Sequence, residues 1–282
     1  MWLAYNTNGL AHHRLFDALA LLADLGYDGV ALTPDAPHLD LTATGEREWE
    51  EARRELERRR LRCVIETGAR YALDPARKHW PSLVAREDAA AARRLAYYRS
   101  ALRMAQALGA ECVSLWSGAL EPGVAPAEAW PRLVERLHRL LDDAALAGVP
   151  VSFEPEPGML VASLADYREL RRLLARDGLW TTIDVGHLLV TESGPAHAHL
   201  AEFAPTLRNV QLDDAKRGVH EHLPLGAGDL DLAALLAELR RLDYQGPLAL
   251  ELSRDSHRAA QLAAESIARI RSHAGESGGA RR

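Results

Sequence analysis

One pattern recurs eight times along the chain and restricts its fold more than any other feature. Short apolar, β-prone runs ("WLAYN", "DGVALT", "RCVIET", "ECVSLWS", "VPVSFE", "LWTTID", "RNVQLD" and "PLALEL") alternate with longer stretches such as "PRLVERLHRLLDDAALAG". In the longer stretches apolar residues return every three or four positions, which is the period of a helix. Gly26, Gly109, Gly148 and Gly178 fall where helices should stop, a position that suits a residue with no Cβ. Ser163 and Asp229 precede helical patterns and are placed to cap free N–H groups. Strands that each feed a helix pair in parallel through right-handed crossovers. Eight such units close into a single (β/α)8 barrel of the α/β class. The alternative, an open doubly wound sheet, usually carries a glycine-rich phosphate loop after its first strand. Here that turn reads "NTNGLAHH", with no GxGxxG. The barrel is expected over residues 1–274, and the segment 275–282, "GESGGARR", is expected to be a disordered tail. The longest irregular piece, Thr67 to Glu87, is expected to be an inserted loop on the active face.

Composition narrows the class. The 282 residues are 48% hydrophobic, enough for a large core, and the formal charge of −6 gives no basic footprint for nucleic acid. The opening "MWLAYNTNGLAHH" lacks the layout of a secretion signal. No apolar run approaches the roughly 20 residues needed to cross a bilayer. Cys63 and Cys112 lie inside strand-like runs and read as reduced core residues of a cytoplasmic protein. The outer helices are amphipathic without a distinct seam, which leaves a homo-oligomer open.

In such a barrel the strand C-termini converge on one mouth, so the polar residues that end the strands become the candidates. They are Glu66 after strand three, Glu154 after strand five, Asp184 followed by His187 after strand six, Gln211 on strand seven and Glu251 on strand eight, with His38 reached from strand two. Acids directed at one point repel, by on the order of 4 kcal/mol for two unit charges about 4 Å apart at an intermediate dielectric. Either some are protonated or a cation sits among them. Three anionic oxygens and an amide oxygen suit a hard divalent ion such as Mn²⁺, Mg²⁺ or Co²⁺, and nearby imidazoles extend the choice to Zn²⁺. Taken singly, any one of these acids can equally cap a helix or pair with an arginine.

Two loops reach the same mouth. "NVQLDDAKRGVHEHLPLGAGDLDL" begins on strand seven and carries His220 and His222, which project to one side if the chain is locally extended. Lys216 and Arg217 are candidates for a phosphate or carboxylate, or are solvated loop charges. "ETGARYALDPARKHW" supplies Arg70, Lys78 and His79 as candidate substrate contacts, and Trp116 is placed to stack on a sugar ring.

The ordered set "FEPEPG", "IDVGH", "VQLDDAKRGVHEHLPLGAGDLDL" and "LALEL" resembles the xylose-isomerase-like TIM-barrel superfamily, from strand one to helix eight. That group takes in sugar phosphate isomerases and epimerases, inosose and dehydroshikimate dehydratases, and the endonuclease IV branch. The resemblance implies one divalent metal, Mn²⁺ foremost, held by Glu154, Asp184, Gln211 and Glu251. The family often has histidine where Gln211 stands. It also implies His187 as a second ligand or substrate contact, and His38, His220 and His222 as additional or supporting ligands. "GAGDLDL" resembles a turn whose Gly226 and Gly228 let backbone approach a ligand. The implied reaction is metal-assisted isomerisation, epimerisation or dehydration of a sugar, polyol or keto-sugar through an enediolate, with Glu251, Glu156 and His187 moving the proton. A second catalytic glutamate common in the epimerases falls at Leu160, which weighs against epimerisation. The rival readings are phosphodiester hydrolysis, drawing on His38, His187, His220 and His222, and a non-catalytic sugar-binding barrel.

Overall fold

The computed structural model describes residues 1–273; the tail expected at 275–282 lies outside the described residues. Eight parallel strands close in sequence order: β1 (Trp2–Asn6), β2 (Gly29–Leu32), β3 (Arg62–Glu66), β4 (Val113–Leu115), β5 (Val151–Phe153), β6 (Leu179–Asp184), β7 (Leu207–Leu212) and β8 (Pro247–Leu250). β1 pairs with β8 from Trp2 opposite Pro247 to Tyr5 opposite Leu250, which completes the ring. The helices outside are α1 (Leu15–Leu25), α2 (Glu46–Arg59), α3 (Asp88–Leu108), α4 (Pro126–Ala147), α5 (Leu164–Leu174), α6 (Val185–Thr191), α7 (Leu200–Phe203), α8 (Leu232–Arg241) and α9 (Ala259–His273). No helix among the described residues is long and apolar enough to cross a membrane. Both cysteines are buried and unpaired.

Most helix ends follow the local chemistry. Gly26, Gly109 and Gly148 close α1, α3 and α4 in the left-handed region, at φ 86°, 65° and 65°. Gly178 does not close α5. Ala175 takes the left-handed position at φ 46°, and Gly178 lies in the turn beyond it. Ser163 caps α5 reciprocally with Asp166. Asp229 does not cap α8; Asp231 does, accepting from Ala234 N at 2.9 Å. Asp229 instead receives Lys216 Nζ and Arg217 N, each at 3.0 Å.

The inside of the barrel is graded along its axis. Side chains two apart on a strand share a face, and the inward set at the N-terminal end is apolar: Trp2, Ala4, Ala31, Val64, Cys112 and Ala249 cluster together. One step further along the same strands the inward residues become polar. Thr33 Oγ1 donates to Asn6 Oδ1 at 2.7 Å, and Ser114, Thr182 and Ser152 form a hydroxyl chain with 2.8 Å links. Asn209 Nδ2 donates to Glu66 Oε1 at 2.6 Å. Each of these polar groups is buried, so the network satisfies them against one another where water is scarce.

The irregular segment between β3 and α3 is held from outside by two buried arginines. Arg94 on α3 is wholly buried; its Nε donates to Pro81 O at 2.6 Å and its Nη2 to His79 O at 2.7 Å. Its guanidinium also lies against the rings of Tyr97, Tyr98 and Trp116, at 5.4–5.5 Å. Arg136 on α4 donates to Leu83 O at 2.6 Å and Ala85 O at 2.7 Å, and reaches Asp88 Oδ1 at 2.9 Å. The loop's carbonyls therefore bond to fixed guanidinium groups rather than to solvent.

Two measurements test this layout. Arg136→Ala strands two buried carbonyls and is expected to lower the unfolding free energy by about 3 kcal/mol, read by urea denaturation. Glu66 is pushed up to about 8, first by burial and then by the charge of Glu251. Between the ordinary carboxylate range and about 8 the folded chain keeps a proton that the unfolded chain has released, so stability falls as pH rises. Glu66→Gln is expected to flatten the fall in Tm of the metal-free protein over that window. It should not abolish the fall, because Glu156 is also pushed up to about 8.

Candidate active site

A cavity of about 470 Å³ opens at the C-terminal end of the barrel. Its floor and walls come from the period of two carried past the strand ends. On β5 and beyond, Ser152, Glu154 and Glu156 follow one another inward. On β7 the series is Asn209, Gln211, Asp213, and on β8 it is Ala249, Glu251, Ser253. Of the residues expected at the mouth, Glu66, Glu154, Glu156, Gln211 and Glu251 line the cavity from the strands. His187, His220 and His222 line it from the sixth and seventh connections, and Arg70, Lys78, His79 and Trp116 from the third and fourth.

Local geometry fixes several of these side chains. Asp184 is the N-cap of α6: its Oδ1 accepts from His187 N at 2.9 Å, which places His187 three residues on. Asp184 is buried beneath His187, whose Nδ1 is 3.3 Å from Glu154 Oε1. His187 and His220 meet through their Nε2 atoms at 3.1 Å. His222 Nδ1 is 2.6 Å from Asp213 Oδ2. Gly186 makes room for that aspartate, because a Cβ there would come within 2.1 Å of Asp213 Oδ1. Glu251 Oε1 accepts from Asn8 Nδ2 at 2.8 Å, and Gln211 Nε2 lies 3.5 Å from Glu154 Oε2. His79 is fixed by its Nδ1 at 2.5 Å from Gly68 O and meets the Trp116 ring edge-on at 5.1 Å.

Electrostatically the pocket is crowded with acid. Burial, then Glu156, Glu251 and Asp184, hold the Glu154 carboxyl well above its usual range. Burial and the Glu251 charge push Glu156 up to about 8. Burial raises Asp184 too, but His187 and His222 outweigh it and hold this carboxyl below its ordinary value. His187 is pushed down to about 4, mainly by burial. Burial opposes the charge on His222, yet the Asp213 contact lifts it to about 10.

Three sets of donors converge to within 4.8 Å: Glu154, Asp184 and His187; His187, His220 and His222; and Asp184, Asp213 and His222. Asp184 Oδ2, His187 Nδ1, Gln211 Oε1, His222 Nδ1 and both Asp213 oxygens are buried without a well-aligned hydrogen-bond partner. Short contacts without that alignment, such as Asp213 to His222, are what donors facing a common centre present. These groups can hold a divalent metal, as oxygen or mixed oxygen and nitrogen ligands. Glu251 falls outside all three sets, its Oε1 bound to Asn8 beyond the neighbouring strand β1.

Several expected residues lie elsewhere. His38 is fully buried away from the cavity, with Nε2 at 3.0 Å from His13 O. Lys216 pairs with Asp229, and Arg217 donates to Gly194 O at 2.6 Å; both sit outside the cavity because the seventh connection turns them to its outer side. Gly226 and Gly228 do not approach the cavity. A Cβ on Gly226 would strike Arg269, and one on Gly228 would strike Asp214 and Ala215, so these glycines serve the packing of the loop on its own base. Asp213, Asn8 and Arg254 were not singled out from the sequence. Asp213 was within reach of the strand-end rule, two positions beyond Gln211; Asn8 and Arg254 sit in turns with no local pattern.

The profile of the xylose isomerase-like TIM barrel family matches residues 19–273. A 134-residue match to the L-ribulose 3-epimerase of Methylomonas sp. (strain DH-1) is 29% identical and spans 46% of this chain and 44% of that enzyme, so it covers less than half of either. A longer match, 25% identical over 238 residues, spans 84% of this chain and 81% of the L-ribulose-5-phosphate 3-epimerase UlaE of Salmonella paratyphi C. Among solved structures, an IolI protein with a bound zinc atom superposes with a TM-score of 0.76 at 18% identity, covering 97% of this chain and 99% of that one. By its profile match across most of its length, the chain belongs to the xylose isomerase-like TIM-barrel family.

Proposed function

We propose that this chain is a divalent-metal-dependent epimerase or isomerase of a polyhydroxylated carbonyl compound. The observation that carries the reading is the convergence of Glu154, Glu156 and Glu251 on one cavity from nearly opposite walls, β5 and β8. Glu154 and Asp184 would hold the ion, with His187 within ligand distance of both, Gln211 beside Glu154, and Glu251 across the cavity. A hard oxygen set of this kind favours Mn²⁺. Once bound, the ion supplies positive charge against the oxygen that becomes negative when a neighbouring carbon loses its proton.

The remaining work falls to the chain. Asn8 Nδ2 orients the Glu251 carboxylate, which takes the proton. Glu156, which burial and the Glu251 charge push up to about 8, faces Glu251 across the cavity as the group that can give a proton. A base on one wall and an acid on the other is the arrangement for removing a proton from one face of a carbon and returning it to the other. Leu160 does not line the cavity, and Glu156 occupies the wall that a second catalytic glutamate would serve. The epimerase names of the relatives support the same reading. Trp116 offers an apolar face to the sugar carbons, and His79 limits how the ring can tilt.

A second reading, metal-dependent phosphodiester hydrolysis, has the three-imidazole set in its favour. The net charge of −6 and the acid-lined cavity oppose it, because a polyanionic backbone needs cations along its track.

The test is proton exchange in D₂O. With Mn²⁺ supplied, L-ribulose, L-ribulose 5-phosphate and D-tagatose are followed by ¹H NMR, and deuterium is expected at the carbon next to the carbonyl of at least one. Glu154→Gln and Glu251→Gln should each lower that rate by roughly 10²–10⁴-fold with circular dichroism unchanged. A chelator should stop it. No exchange on a broad ketose and aldose panel with any of Mn²⁺, Co²⁺, Mg²⁺ or Zn²⁺ would reject the reading. Two or more tightly held zinc ions per chain by elemental analysis would favour hydrolysis instead.

A further inference from the structure

The acids occupy the depth of the cavity, but its edge has the opposite sign. Arg70 and Lys78, from the loop after β3, and Arg254, just beyond β8, all line the opening. Arg70 is already engaged: its Nε is 3.3 Å from Asp35 Oδ2, and its Nη2 donates to Asn8 O at 3.1 Å. Lys78 has no carboxylate within ion-pair distance among the described residues. Arg254 donates to His220 O at 3.0 Å and likewise lacks an acidic partner among the described residues. Both line the same opening, Lys78 from the third connection and Arg254 from the eighth.

The setting sharpens the contrast. The chain as a whole is acidic, at −6, and Lys216, on the seventh connection, is already paired with Asp229. Lys78 is also not on a loosely tethered segment, because the carbonyl of the next residue, His79, is bonded to the buried Arg94. Two cations without an ion-pair partner, at the rim of a pocket whose interior is crowded with carboxylates, make a site for a ligand that is negative at one end only.

Resting on the reading above, we propose that the substrate carries an anionic group, a phosphate ester or a carboxylate, and that Lys78 and Arg254 receive it at the rim while the carbonyl end reaches the acids below. This places the anion site on the third and eighth connections rather than on the seventh.

The experiment compares kcat/KM for L-ribulose, L-ribulose 5-phosphate and D-fructuronate on the Mn²⁺-loaded protein, and titrates inorganic phosphate calorimetrically into the same protein. An anionic substrate is expected to be preferred over the neutral ketose by tenfold or more. A preference for the phosphate ester assigns a phosphate, and a preference for the uronate assigns a carboxylate. Lys78→Ala and Arg254→Ala should each raise KM for the preferred substrate by roughly 10- to 100-fold, and Lys78→Arg should restore most of the loss. Equal efficiency on the neutral ketose, or an anionic preference that survives both alanine variants, overturns the proposal and leaves the proposed reaction standing. If no compound turns over, the calorimetry still decides. Phosphate affinity reduced in both variants supports the rim site on its own, and affinity equal to that of the parent chain overturns it.

Discussion

The structure depends on the mutual repulsion of carboxylates that a closed parallel barrel forces together. Alternation along each strand sends every second side chain inward, and closure aims all eight series at one mouth. Glu66, Glu154, Glu156, Asp184, Asp213 and Glu251 are all brought to this end of the barrel. The chain offsets their repulsion in three ways. Amides meet some of them, as Asn209 meets Glu66 and Asn8 meets Glu251. Imidazoles meet others, as His222 meets Asp213. Burial keeps protons on Glu66 and Glu156. Buried donors left over after these arrangements, Gln211 Oε1 and Asp184 Oδ2 among them, are what give the site its capacity for a dication.

The axial grading of the barrel serves this arrangement. An apolar plug around Trp2 and Val64 closes the N-terminal end, and the hydroxyl chain through Ser114, Thr182 and Ser152 forms a neutral polar layer above it. The acids thus rest on groups that can donate or accept hydrogen bonds, not on hydrocarbon. That layer lowers the cost of placing charge in the interior without adding charge of its own.

Much of this was legible in the sequence because it follows from periods. The eight strand-like runs gave the barrel, and its strand ends gave Glu154, Asp184, Gln211 and Glu251. The same period reaches Asp213, but a second acid beside Asp214 has the look of ordinary loop polarity. Caps were legible only to within a turn, as Asp229 against Asp231 and Gly178 against Ala175 show. Contacts between connections were not legible. His38 was expected at the mouth but bonds back to His13, and Lys216 and Arg217 turn outward. Arg94 and Arg136 lay hidden because an arginine on an amphipathic helix has the same local signature whether it faces solvent or the underside of a loop.

Those two arginines bear on how the pocket is entered. The stretch from His79 to Ala85, whose carbonyls are gripped by guanidinium groups from α3 and α4, cannot swing away without leaving buried cations bare. The side of the entrance that carries His79 therefore keeps a fixed outline, whatever the rest of the rim does as a guest arrives. The shape of the doorway is accordingly written in helices on the barrel's exterior, far in sequence from the acids that it admits ligands to.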